Sequence, residues 1–186
     1  MLASSRRRGS RYIGSTDRPT REFGKGGFSL KRAPRRLRLV YAGFLVLTAI
    51  GFATQFGFEI GRIGVTPAAI ATFYRGSESG DVMVFPKTAA QLLEVTHAHA
   101  FVMAIVFLIL AHLFVSTSAP ETLKMVVLTV ACVGTVGDLM SPWLVRYGAA
   151  SCAWIALGSW IAQGAGNLVL LGVSGWECLS GQENGS

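Results

Sequence analysis

Once the first 38 residues are set aside, charge is what this chain has least of. The full sequence has 186 residues with 17 Lys or Arg and 10 Asp or Glu, and twelve of those basic residues, against only Asp17 and Glu22, lie in residues 1–38. The remainder holds five basic and eight acidic side chains. With 51% hydrophobic and 15% charged residues, and a mean hydropathy of +0.47, the chain is too apolar for an ordinary soluble fold.

Other absences narrow the chemistry. Cys132, Cys152 and Cys178 are widely separated and make neither a C-x-x-C nor a haem-attachment pattern, and their spacing argues against an intrachain bridge. There is no G-x-S-x-G, Walker loop, H-E-x-x-H or dinucleotide fingerprint, so catalysis on a soluble substrate is not indicated. No inverted repeat or pair of interrupted helices points to a transporter. The chain reads as an accessory or redox subunit rather than an enzyme by itself.

What is there is a set of long apolar runs. A helix needs about 20 apolar residues to cross the hydrocarbon core, and four stretches qualify, at about 39–58, 92–115, 125–145 and 149–173. The expected fold is all-α, a four-transmembrane-helix antiparallel bundle over residues 39–173, with a disordered basic N-terminal tail (1–38) and a short C-terminal tail (174–186). Short connections around Pro120 and Gly148 make neighbouring helices antiparallel. The longer connection contains Thr66-Pro67, a hydroxyl cap followed by proline at a first helical position, which predicts a short helix lying along the interface. Gly57 and Gly61, Gly134 and Gly137, and the Gly158, Ala162, Gly166 series are candidates for close helix contact.

The tail, with Arg6 to Arg8, Arg11 and the Lys31 to Arg38 cluster, is rich in Ser and Gly and lacks an apolar period. Without aromatic interleaving or a folded reader, it is not read as a nucleic-acid arm. It reads as a juxtamembrane segment that attracts anionic lipid. Lys and Arg near helix ends divide thirteen to four if the N-terminus is inside. This places both termini in the cytoplasm of a bacterial inner membrane. The first apolar run is too long and too late for a secretory signal. The Arg- and Ser-rich start also suits a transit peptide, which keeps a mitochondrial inner membrane as the alternative.

All three histidines fall in LLEVTHAHAFVMAIVFLILAHLFV, Leu92 to Val115. Ionisable groups at membrane depth are costly and so suggest function. In the expected topology Glu94, His97 and His99 lie near the outer face, where Glu59 ends the first helix and Asp138 nears the end of the third. Glu94 and His97 share a helix face; His97 and His99 are about 200° apart, so only one can face the bundle. His112 lies about 22 Å from His97 along the axis.

Several readings follow. Glu94, His97, Asp138 and Glu59 offer imidazole and carboxylate ligands for a single transition metal. His97, His99, His112 and Met140 are candidate contacts for haem b or quinone, with a partner subunit supplying a missing haem ligand. Glu94 and His97 can equally pair with each other at the interface, leaving the polar cluster to fix packing alone.

The runs GVTPAAIATFYRGSE, VFPKTAAQLLEVTHAHAF, AHLF and DLMSPWLVRY resemble an uncharacterised family of bacterial four-helix integral membrane proteins. The resemblance covers residues from about 39 to 173 and implies topology without an activity. The T-H-A-H run is also similar to histidine-bearing helices of haem-containing membrane proteins. These readings combine into a membrane subunit of a larger electron-transfer or respiratory complex, surrounded by lipid and by other membrane subunits. The alternative is a non-redox structural or assembly subunit.

Overall fold

The computed structural model describes residues 28–78 and 83–181. Most of the basic tail, with the disorder expected of it, lies outside the described residues, as do 79–82 and 182–186. The described residues form five α-helices: α1 (Arg35–Phe58), α2 (Pro67–Arg75), α3 (Ala89–Val115), α4 (Glu121–Tyr147) and α5 (Ala153–Leu179). A wide π turn, Glu59–Ile63, extends α1, and single 3-10 turns at Leu30–Arg32 and Ala150–Cys152 precede α1 and α5. Among the described residues, four helical stretches are long and apolar enough to span a membrane: Arg35–Ile63, Ala89–Val115, Glu121–Tyr147 and Ala150–Leu179. The all-α, four-span architecture is therefore the observed one, and the protein is an integral membrane protein in contact with lipid.

Local chemistry explains the boundaries. The π turn stops at Gly64, whose φ of 88° is left-handed and excludes a side chain without strain. Thr66 Oγ1 accepts from Ala69 N at 3.2 Å and Pro67 occupies the first turn, so α2 begins where the sequence predicts. α3 starts earlier than its apolar run, because Thr88 and Gln91 form a reciprocal capping box just before the hydrophobic stretch.

Helices α4 and α5 make the closest pair. A methyl group on Gly166 would lie 2.7 Å from Ala131 Cβ, and one on Gly134 or Gly137 would overlap Gln163 or Ser159. The backbones thus meet through glycine, as close packing in lipid requires. Gly158, Gly57 and Gly61, expected in the same role, have open space around them. They face away from the seam, because spacing of four fixes a side of the helix without saying which neighbour lies there.

Two apolar clusters occupy the ends of the bundle. One gathers Leu30, Leu45, Leu110, Leu113, Phe114 and Leu170; the other gathers Ile63, Ile70, Tyr74, Leu92, Val145 and Trp160. In the second, the α2 predicted after Thr66-Pro67 turns one face onto the bundle: Ile70 and Tyr74 are buried, and the helix caps α4 and α5. Arg75 fastens it. Its Nη1 donates to the carbonyls of Val145 (3.0 Å) and Gly148 (3.1 Å), the otherwise orphaned acceptors at the end of α4. Replacing Arg75 with Ala is expected to lower unfolding stability by about 1–2 kcal/mol, less than the charged-bond maximum because the side chain reaches water. Detergent-titrated unfolding followed by Trp fluorescence checks this, and an unchanged midpoint would contradict the clamp.

Helix α1 is the least embedded. Only 6% of its apolar window is buried within the chain, against 44% for α5. Its main attachments are Gly164, which receives the Phe56 ring, and Cys178, whose Sγ donates to Arg38 O at 3.1 Å.

Candidate functional site

A chamber of about 430 Å³ lies at the end of the bundle beneath α2. Residues from α1 and its π turn, α2, α3, α4 and α5 all reach it, including Glu59, Tyr74, Glu94, His99, Asp138 and Trp160. Polar side chains from separate spans therefore line one cavity.

Glu59 is 6% exposed. Gln55, one turn earlier, donates from Nε2 to Glu59 Oε1 at 3.0 Å, while Oε2 is buried without a hydrogen-bond partner among the described residues. A buried oxygen without a donor is costly, so it marks a place where water, a proton or a ligand group is needed.

Asp138 is held from α5. Trp160 Nε1 donates to its Oδ1 at 2.8 Å, tying the acid on α4 to α5. The backbone beneath it is altered by Pro142, which has no N–H to give the Asp138 carbonyl four residues earlier. The Ser141 hydroxyl donates to that carbonyl instead, at 3.3 Å. Proline at the fourth position thus loosens the ladder where the acid must face inward.

Tyr74 descends from α2. Burial raises its phenol above the ordinary tyrosine value, and the nearby Asp138 and Glu59 carboxylates raise it further. It stays protonated and serves only as a neutral hydroxyl. Lys87 also lines the chamber, its Nζ lying 4.3 Å from the centre of the Phe73 ring. Arg146 Nε fixes the same segment by donating to Lys87 O at 2.7 Å.

The histidines separate as their angular spacing requires. His99 Nδ1 donates to Val95 O at 3.0 Å, which leaves Nε2 as the basic nitrogen of the neutral ring. His99 is exposed but lines the chamber. His97 instead lies edge-on to Phe101, with ring centroids 5.2 Å apart, and is exposed. Glu94 reaches the chamber but is also exposed. His112 is exposed near the other end of α3, and Met140 is exposed on α4; neither lines the chamber. Among the described residues, no three His, Cys, Asp or Glu side chains are grouped to hold a metal ion. Glu94, His99, Asp138 and Glu59 line one chamber without closing on a single point, and His97, the remaining member of the ligand set Glu94, His97, Asp138 and Glu59, stands outside it.

A second cavity adjoins the first. It is an open, mostly apolar groove of about 720 Å³, walled by α1 residues such as Leu47 and Phe52 and α3 residues such as Val102 and Val106. Thr135, Gln163 and Asn167 contribute polar atoms to it. The groove exists because α1 and α3 scarcely touch. Gln55, Phe58 and His99 border both cavities.

Sequence reasoning did not find Trp160, Tyr74 or Gln163 as parts of this site. Gln163 had a signal, as an amide in an uncharged span. Trp160 and Tyr74 had none, since an aromatic residue in an apolar run reads equally as filler or anchor.

A polytopic membrane protein with a polar chamber at one end of a helical bundle is the class so defined. The chain belongs to the Aq_1264_TM family, a transmembrane helical domain matched over residues 64–185. The match starts at the glycine that ends the π turn and takes in α2 to α5, so α1 and Glu59 lie outside it. No curated protein and no solved structure matches the chain.

Proposed function

We propose that this integral membrane protein is a subunit of a larger electron-transfer complex of the bacterial inner membrane, and that it binds a membrane quinol. The quinol head lies in the chamber and its isoprenoid tail in the groove between α1 and α3. The observation that carries this reading is the junction at His99: an open apolar groove leads to a ring nitrogen able to accept a proton, with Glu59 and Asp138 beyond it. A mostly apolar site with a few placed polar groups suits a small amphipathic ligand. By the positive-inside count both termini are cytoplasmic, and the chamber faces the other side.

Oxidation of a quinol releases two protons and two electrons. His99 Nε2 accepts a proton from one hydroxyl, and the chamber carboxylates provide a further acceptor. The electrons pass to a redox group of a neighbouring subunit. The exposed apolar face of α1 supports such a neighbour, since a helix with so little burial in its own chain has most of its surface left for lipid or protein. Haem b on His97, His99, His112 or Met140 has weaker support: no two of these face the chamber together, so a partner would have to supply an axial ligand.

The test is binding of a short-tailed, photoreactive quinone to the protein in lipid nanodiscs. Labelling of α1 and α3 peptides beside the groove is expected, and His99→Ala should weaken binding about tenfold through loss of one hydrogen bond to an ionisable group. A colourless, metal-free protein that takes no quinone yet still supports assembly of its partners would instead establish the non-redox structural subunit.

A further inference from the structure

At the opposite end of the bundle from the chamber, the start of α1 meets the end of α5 around a third cavity, of about 620 Å³. Its walls are mainly apolar, with Leu39 and Ala42 on α1 and Cys178 and Leu179 on α5. Arg35, Arg36 and Arg38 border it. Arg35 and Arg36 are exposed, whereas Nε and Nη1 of Arg38 are buried without a hydrogen-bond partner among the described residues. Arg38 is also fixed in place, because its carbonyl accepts from Cys178 Sγ.

Two donor nitrogens of a guanidinium withdrawn from water and left unpaired are expensive unless something answers them. Among the described residues the ion pair is Lys124 with Glu121, and no carboxylate among them answers Arg38. The three arginines stand where the apolar run of α1 begins, at the depth of lipid headgroups. A guanidinium pairs with phosphate through parallel N–H donors. The apolar wall beside it has no use for a free anion but suits a hydrocarbon chain.

We propose that this cavity is a binding site for one anionic phospholipid, whose phosphate is held by Arg35, Arg36 and Arg38 and whose acyl chain lies along Leu39, Ala42 and Leu179. The site is independent of the quinol reading. It differs from diffuse attraction by the basic tail in having a fixed position between two helices, and it ties the loosely packed α1 to α5.

The experiment is native mass spectrometry of the full chain, released from nanodiscs containing phosphatidylglycerol and phosphatidylcholine in equal amounts. One phosphatidylglycerol should be retained in preference to phosphatidylcholine. Replacing one arginine should weaken its retention roughly fivefold, and each further one by a similar factor, the size expected for a basic residue near an anionic surface. Arg35→Gln with Arg36→Gln alters only exposed side chains and should show the loss in a folded protein; Arg38→Gln should show it too. Neutralising Arg6, Arg7 and Arg8 should leave the retained lipid in place. Equal retention of both lipids would overturn the proposal, as would unchanged retention in the Arg35, Arg36 and Arg38 variants, or loss on changing Arg6 to Arg8. Displacement of the lipid by millimolar inorganic phosphate would reassign the site to a free anion and overturn it as well.

Discussion

Gly134→Leu is expected to leave no folded protein recoverable in mild detergent. Two effects oppose each other at this position. Leucine is a better helix former than glycine by roughly 0.5–1 kcal/mol, which favours the variant. Against it, the first side-chain carbon already overlaps the Gln163 backbone, and the remaining three carbons have nowhere to go. Overpacking costs about 1–3 kcal/mol where side chains can shift, and more where backbone must move. Here α4 and α5 would have to separate along the most extensive contact in the molecule. Gly158→Leu is the matched control. It sits on α5 with no atom near its added carbon, so helix propensity acts alone and the protein should be as stable as wild type or slightly more so. Size-exclusion profiles and detergent unfolding of the two variants decide the matter; equal stability would mean the seam lies elsewhere.

Trp160→Phe should destabilise the protein by about 1–2 kcal/mol while leaving most of the apolar volume in place. The indole donates to Asp138 Oδ1 across the α4–α5 interface, and its removal leaves a partly buried carboxylate with one donor fewer. A bond to a charged group is worth roughly 1.5–3 kcal/mol in soluble proteins. Interhelical bonds in membranes average nearer 0.6, because the unfolded chain in the bilayer also finds partners. A cycle with Asp138→Asn isolates the pair, with a coupling of about 1 kcal/mol expected. Zero coupling would show that the two side chains act separately.

Several parts of this molecule were readable from the chain. The four spans follow from apolar length, and the start of α2 follows from Thr66 and Pro67, because both signals are local. The separation of His97 from His99 was also legible, since two residues on a helix always point apart. Which of the two borders the chamber was not. That choice depends on where α4 and α5 stand, and the ring facing the chamber belongs to His99, while the Glu94-x-x-His97 pairing pointed to the other. The same reason explains the glycines. Gly158 and Gly166 repeat at a spacing that marks one side of α5, yet only Gly166 meets a neighbour.

The sequence by itself determined that this is a membrane protein, where its four apolar spans lie, and which few ionisable groups those spans carry, because insertion depends on the composition of one segment at a time. Tertiary structure alone decided that α2 folds down as a cap, that Tyr74 and Trp160 join Asp138 and Glu59, and that α1 stands off from α3 to leave a groove. Those facts depend on distances between segments remote in the chain. In lipid such distances are set by how small side chains fit and by a few hydrogen bonds, and neither leaves a periodic mark in the sequence.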